Sequence, residues 1–394
     1  MMCRLTPSNS LKAMRLLLLC LCLLLTACSP SVAQVRQFLP LELEFLGEIQ
    51  IPSQEFAGTL VGGLSGLTYD RTTDRLYALS DDRSHHAPAR FYTLRLDPPE
   101  PGQELPAAIA IEAVTFLKDA QGETFPPGSI DPEGIALTPR QTLMISSEGD
   151  ISQGIAPWIQ EFDLTTGQAV SNVRIPARFL PATPIRDPDP PHGIRNNLGF
   201  EALAVQWTGL SAPDPFRLFA APESYLSQDQ RRTTEDQRER IRLLHYVINP
   251  IGDPVLVSEN LYLLEPPLPG TVAHGLTAIA TLETEGYFLT LERSFGLTGY
   301  SAQLFQVVAG NATDTSRIAT LGGELTTVQP LQKQLLLDFT SLGIPLDNLE
   351  GLTLGPQLAD GSQMLIVVSD DNFREEQVTQ CLFFRLTKTQ PFSP

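Results

Sequence analysis

The chain is poor in cysteine, in positive charge and in long hydrophobic runs, and each shortage removes a class of protein. Of its five cysteines, Cys3, Cys20 and Cys22 fall in an N-terminal leader, so only Cys28 and Cys381 follow it. No disulfide framework can be built, and the Cys-x-x-Cys spacing of zinc sites is missing. The one sustained apolar run, Leu16 to Leu25, holds ten residues, against the roughly 20 that a membrane-spanning helix needs. Lys and Arg number 27 against 45 Asp and Glu, for a net charge of -18, which repels nucleic acid and anionic headgroups. No Gly-x-Ser-x-Gly elbow, His-Glu-x-x-His, Walker A or Gly-x-Gly-x-x-Gly segment occurs; Gly63-Leu64-Ser65-Gly66 is one residue short of the first. A serine esterase of the usual kind is therefore not expected, and Ser65 reads as a variation within a repeat.

Arg4, Lys12 and Arg15 ahead of the apolar run make residues 1–27 a secretory signal. Leu25-Thr26-Ala27-Cys28 resembles a lipobox, which makes Cys28 the lipidated first residue of the mature protein and residues 28–40 a tether. Cleavage elsewhere, as for an ordinary signal, is the alternative. Export and a lipid anchor in the cell envelope follow, with Ser29 after Cys28 favouring an outer membrane if there are two. Membrane contact would be through lipid alone. The leader carries three basic and no acidic residues, so the rest is more negative still. Cys381, in an alternating apolar strand, reads as a small core residue.

What is present is a repeat. Five times a short apolar strand follows a Gly, Glu or Ser, and a second strand ends in acids: Leu64-Ser65-Gly66-Leu67 with Ser80-Asp81-Asp82; Asp131-Pro132-Glu133-Gly134-Ile135 with Ser147-Glu148; Gly199-Phe200-Glu201-Ala202 with Pro222-Glu223; His274-Gly275-Leu276-Thr277 with Leu291-Glu292; Asn348-Leu349-Glu350-Gly351 with Asp370-Asp371. Leu67, Ile135, Leu203, Ile279 and Leu352 open the apolar cores at intervals of 68, 68, 76 and 73 residues. Units of four short strands with Pro, Gly and Asp punctuation predict an all-β propeller of five blades over residues 41–394, inserts in blade loops explaining the long period. The last unit offers three strands, so Leu41 to Ile51 is expected to supply its fourth and close the ring. A sixth blade within 178–264 is the alternative. The charged segment Ser227 to Arg242 reads as a solvated loop or short helix, and the Pro-rich insert Pro176 to Asn197 as a loop over the acidic face. A monomer is expected.

If the repeated strand is innermost, its start and the end of the next strand open on one face, and the acids form a rim around the channel mouth. Glu133, Glu201 and Glu350 are the candidate catalytic carboxylates; Asp81, Asp82, Glu148, Glu223, Glu292, Asp370 and Asp371 are candidate metal ligands, with Asp131 and Asp150 joining the rim. So many carboxylates need compensating cations, and oxygen donors without cysteine select Ca²⁺. Arg83, His85, His274 and Arg293 are the candidate substrate contacts, or else loop salt bridges; His86 and Arg374 stand nearby.

The segments Gly62 to Leu67, Asp131 to Ile135, Gly193 to Leu203, Leu291-Glu292-Arg293 and Asn348 to Leu352 resemble the bacterial phytase-like family described as esterase-like activity of phytase. That family is likened to β-propeller phytases, so the resemblance implies a calcium-filled acidic channel mouth and phosphomonoester hydrolysis. The Asp-Asp-Pro-Ala segment and the Lys and Arg phosphate clamps of such phytases are missing. Three functions stay open: a calcium-assisted hydrolase taking a small anionic or ester substrate through the metal; a lactonase-type propeller using Asn196, Asn197 or Asn348 beside the glutamates; and a non-catalytic binding lipoprotein.

Overall fold

The computed structural model describes residues 38–181, 192–209, 211–230, 238–267 and 269–389; the leader, Cys28 and most of the tether lie outside them. From Pro40 onward the chain forms one unit. It opens with β1 (Leu41–Ile51) and a small hairpin, β2 (Gln54–Phe56) with β3 (Thr59–Val61). Blade 1 is β4 (Leu64–Asp70), β5 (Arg75–Ser80), β6 (Arg90–Leu96) and β7 (Ile109–Phe116). Blade 2 is β8 (Pro132–Leu137), β9 (Thr142–Ser147), β10 (Trp158–Asp163) and β11 (Ala169–Val173). Blade 3 is β12 (Phe200–Trp207), β13 (Phe216–Pro222), β14 (Arg240–Ile248) and β15 (Val255–Leu263). Blade 4 is β16 (Thr271–Thr281), β17 (Tyr287–Gly296), β18 (Gly299–Val308) and β19 (Gln332–Asp338). Blade 5 is β20 (Asn348–Gln357), β21 (Gln363–Asp370) and β22 (Thr379–Lys388), completed by β1 in the order β1-β22-β21-β20.

All four-stranded sheets are antiparallel meanders, and β4, β8, β12, β16 and β20 touch in that order and back to β4. The fold is a five-bladed propeller closed by its N-terminal strand. The segment proposed for a sixth blade is spent on blade 3.

The core lies between blades, which is why the second strands are apolar on both faces rather than alternating. In β5, Leu76 and Ala78 pack toward blade 5, while Tyr77 and Leu79 pack with Ile135, Ile145 and Phe162 of blade 2. In β13, Leu218 and Ala220 join Met144 and Ile159 of blade 2, while Phe219 and Ala221 join Leu276 and Phe288 of blade 4. Cys381 is buried in the same manner between blades 5 and 1.

The innermost strands crowd one another around the ring. A Cβ on Gly134 would sit 2.5 Å from the Glu201 carbonyl oxygen and 2.7 Å from the Leu203 Cβ, so the glycine after the repeated glutamate is a packing requirement there.

Within the charged segment, Ser227–Asp229 is a 3-10 turn and Arg240 and Arg242 belong to β14. Arg242 is fully buried between Asp229, with Nε 2.5 Å from Oδ2, and Glu259. The segment expected to be solvated therefore supplies, from its two ends, Asp229 and Arg242 to a buried ion-pair triad with Glu259.

Candidate functional site

Each innermost strand carries a β-bulge at the same point of its repeat: Ser65, Glu133 with Gly134, Glu201, Thr277 and Glu350. A bulge inserts a residue opposite one partner residue and re-aims its side chain. Across from these positions Leu64 pairs with Ser80, Pro132 with Ser147, Phe200 with Pro222, Leu276 with Glu292 and Leu349 with Ser369. The next residues along the second strands are Asp81, Glu148, Glu223, Arg293 and Asp370, which are thus structural equivalents. Backbone bonds fix three of them, from Asp81 N to Gly63 O (2.6 Å), Glu148 N to Asp131 O (3.0 Å) and Glu223 N to Gly199 O (2.7 Å). Asp81, Glu133, Glu201, Glu223, Glu350 and Asp370 border one cavity of about 780 Å³ at this end of the channel.

Register decides which acids reach it, because a shift of one residue sends a side chain to the opposite face of its strand. Glu292, one residue short of its expected register, turns into the interface between blades 3 and 4, where Tyr262 Oη of β15 (2.5 Å), Glu265 N (3.0 Å) and Lys333 Nζ of β19 bind it. Asp82 borders the cavity, but its carboxylate accepts from the amides of His85, His86 and Ala87 and pairs with buried Arg90 at 2.7 Å. Asp371 accepts from Gly63 N (2.7 Å), Phe373 N and Thr379 Oγ1. These three tie down structure instead of joining the carboxylate cluster. Asp150 likewise caps the 3-10 turn Ile151–Gln153, and Asn196 accepts from Ile151 N.

Six of the remaining acids form two tight groups, Glu350 and Asp370 standing outside both. Oxygens of Asp81, Asp131 and Glu133 lie within 4.8 Å of one another, as do those of Glu148, Glu201 and Glu223. Among the described residues only two guanidinium groups pair directly with these acids or with Glu350 and Asp370: Arg83 with Asp131 (Nη2 to Oδ2, 2.6 Å) and Arg293 with Glu350 (2.9 Å) and Glu223 (3.3 Å). Burial, with the charge of neighbouring acids, holds Asp81, Glu133, Glu148, Glu201 and Asp370 well above the usual carboxylate range. Asp131 and Glu223 rise to about 6 by burial, Arg83 and Arg293 opposing the shift. Burial raises Glu350 too, against Arg293 and the Asn348 amide. The buried Glu201 Oε2 and Asn348 Oδ1 have no hydrogen-bond partner. This is an arrangement short of positive charge and of donors.

The family model described as phytase-like, esterase-like activity of phytase, matches residues 59–373. The chain belongs to this phytase-like family. No curated protein matches it closely enough to be counted. Solved structures of similar architecture include an endo-arabinase from Bacteroides thetaiotaomicron, 12% identical, covering 84% of this chain and 95% of that one at a TM-score of 0.41. The N-terminal domain of Nup159 is 9% identical over 89% and 97% of the two chains, at a TM-score of 0.33. A thermostable family-43 glycoside hydrolase is 10% identical over 85% and 95%, at a TM-score of 0.38.

Around the phytase-like mouth, Arg83, His85, His274 and Arg293 all border the cavity, yet they are not equally free. Arg83 also donates to Asn197 Oδ1 at 2.6 Å, linking blade 1 to the loop before β12. Both ring nitrogens of His274 are engaged, by Ser294 Oγ (2.7 Å) and the Glu265 carbonyl (2.8 Å). Sequence reasoning passed over Arg195, Ser224, Glu239, Phe295, Tyr300 and Phe373, which also line the cavity. Arg195 stacks on Tyr225 and donates to Ser224 Oγ, which donates to Glu239. Arg195 lay inside a segment that carried the resemblance; the others have no signal at the repeat level.

Proposed function

We propose that the acidic mouth binds calcium and that the protein is a metal-assisted hydrolase of phosphoesters or carboxylic esters, held in the cell envelope by lipid on Cys28. The two three-carboxylate groups carry this reading. Oxygens that surround a Ca²⁺ at about 2.4 Å lie no more than about 4.8 Å apart, the limit that Asp81, Asp131 and Glu133, and Glu148, Glu201 and Glu223, both meet. The donors are oxygens alone, which suits a hard cation, and the unpartnered Glu201 Oε2 and Asn348 Oδ1 are additional acceptors. Bound there, calcium supplies charge neutralisation and Lewis acidity toward a phosphoryl or carbonyl oxygen.

The protein's own groups divide the remaining work. Glu201 sits on a bulge at the cavity wall with one unpartnered oxygen, which places that oxygen to accept a proton from a substrate or a water in the cavity. Glu350 is fixed by Asn348 Nδ2 at 2.8 Å and by Arg293, which suits an orienting role. Arg83 and His85 border the opening, where the guanidinium charge draws in an anionic substrate and the imidazole offers it a hydrogen bond.

The test is phosphate release from phytate and from an aryl phosphate by protein with Cys28 replaced, after chelation and again with calcium restored. Release only with calcium, and its loss in Glu201→Gln, is the expected result. A protein whose melting temperature ignores calcium and which releases nothing would sink the reading. A lactonase-type activity is the second reading, favoured by Asn348 Oδ1, a neutral oxygen donor beside Glu350. Calcium binding with silence on both phosphates but opening of a lactone would select it. Anchoring through Cys28 is checked by acyl labelling of the full chain, which Cys28→Ala should abolish.

A further inference from the structure

Blade 4 is built differently from the others on the acidic face. Its innermost strand β16 begins at Thr271, six residues before the bulge at Thr277, whereas β4, β8, β12 and β20 begin one or two residues before theirs. The four or five additional residues raise the sheet roughly 13 to 16 Å beyond the rim, at about 3.3 Å per residue. β17 and β18 follow it, Phe295 pairing with Tyr300 and Gly296 with Gly299, and Leu297 is at the tip.

This wall presents apolar groups beside the carboxylates. Val272 is 77% exposed, Phe295 38% and Leu297 89%. Thr271, Val272, Ala273, Phe295 and Tyr300 line the same cavity as Glu201 and Glu350. The imidazole of this wall, His274, is spent internally on Ser294 and the Glu265 carbonyl. Phe295 and Tyr300 lie with ring centroids 4.6 Å apart, a braced aromatic surface. Exposed apolar side chains contiguous with a polar site mark a place where a ligand's apolar part is covered.

We propose that the blade 4 wall is an apolar subsite, and that the substrate is an amphiphilic ester whose polar head enters the acidic mouth while an alkyl or aryl group lies on Val272, Phe295 and Tyr300. The inference rests on the hydrolase reading for its head group. It differs from that reading in demanding affinity that grows with apolar length. A compact, highly charged inositol phosphate would leave the wall uncovered.

Equilibrium binding of two homologous series, n-alkylphosphonates and uncharged n-alkyl acetates, tests it by calorimetry or ligand-observed NMR, with and without calcium. Affinity should rise about two- to fourfold per methylene over the first several carbons in at least one series. The rise should vanish in the double variant Val272→Ser, Phe295→Ser, whose positions are exposed enough to keep the fold. Affinity independent of chain length in both series overturns the proposal, as does a chain-length dependence that the double variant keeps. Calcium dependence of phosphonate binding is read separately and judges the metal reading alone. A chain-length effect without calcium dependence therefore keeps the wall and discards the metal, and calcium-dependent binding without a chain-length effect does the reverse.

Discussion

The guanidinium Nη2 of Arg293 lies 2.9 Å from Glu350 Oε1 and 3.3 Å from Glu223 Oε1. Arg293 occupies the repeat position that holds Asp81, Glu148, Glu223 and Asp370 in the other blades, so one carboxylate of the wheel has been exchanged for a permanent cation. It neutralises the sector between blades 3 and 5, where Glu350 and Glu223 would otherwise repel. Arg293→Gln should destabilise the chelated protein by about 3 to 5 kcal/mol, the cost of leaving buried charge unpaired. Calcium should recover part of that loss. Urea denaturation in chelator and in calcium gives both numbers; equal losses in the two conditions would separate Arg293 from the metal sites.

The raised carboxylates set a pH dependence of stability. Asp131 and Glu223 titrate at about 6 in the folded chain, above their values of roughly 4 when unfolded. Below pH 4 both states are protonated and the full contribution is present. It is lost as pH rises through 6, because the folded state must then hold anions side by side. The metal-free protein should melt at a lower temperature at pH 7.5 than at pH 5, and saturating calcium should remove the fall. A metal-free melting temperature that climbs from pH 5 to 7.5 would contradict the carboxylate cluster as its main cause.

Glu201 and Glu292 make a paired test of register. Both stand in repeat positions rich in acid, but Glu201 enters the cluster with a free oxygen, while Glu292 is bound by Tyr262, Glu265 and Lys333. Glu201→Gln removes a carboxyl whose ionisation burial and neighbouring acids oppose, so it should raise the stability of the chelated protein by about 1 kcal/mol or more while weakening calcium binding at least tenfold. Glu292→Gln should lower stability by about 1 to 3 kcal/mol and leave calcium affinity within twofold. Calorimetric titration with calcium distinguishes them, and matching effects would refute the register assignment.

That contrast shows what the sequence could and could not yield. Strand starts and ends, the five repeats and the closing strand were legible because Gly, Pro and Asp punctuate apolar runs of even length. The rim positions of Glu133, Glu201 and Glu350 were legible because the same phrase recurs in each unit, with a glycine after Glu133 and Glu350 where the next blade crowds in. Glu292, Asp82 and Asp371 were not, since a bulge moves the pairing by one residue and adjacent acids in a row look alike as letters. The buried triad of Asp229, Arg242 and Glu259 was hidden because a charged stretch reads as solvated until its long-range partner is known. The blade 4 wall was invisible for a similar reason, as strand length beyond the rim depends on pairing between β16, β17 and β18.

Ring closure offers the last prediction. β1 pairs with β22 from Leu41 opposite Lys388 to Ile51 opposite Thr379, with one bulge between Phe45 and Gly47. Phe45 stands directly across from Phe384, their centroids 5.3 Å apart, and Arg385 is salt-bridged to Glu44. Without residues 41–51, β22 would present an unpaired edge whose Cys381 to Phe384 run is almost entirely buried in the closed ring. Such an edge is a template for pairing with another chain. A chain starting at residue 52 should therefore associate, and size-exclusion chromatography should show dimers or larger species. Adding the free peptide of residues 41–51 should return monomer, whereas a scrambled peptide of the same composition should not. Monomer without any peptide would mean that blade 5 holds as three strands and that the N-terminal strand is dispensable for closure.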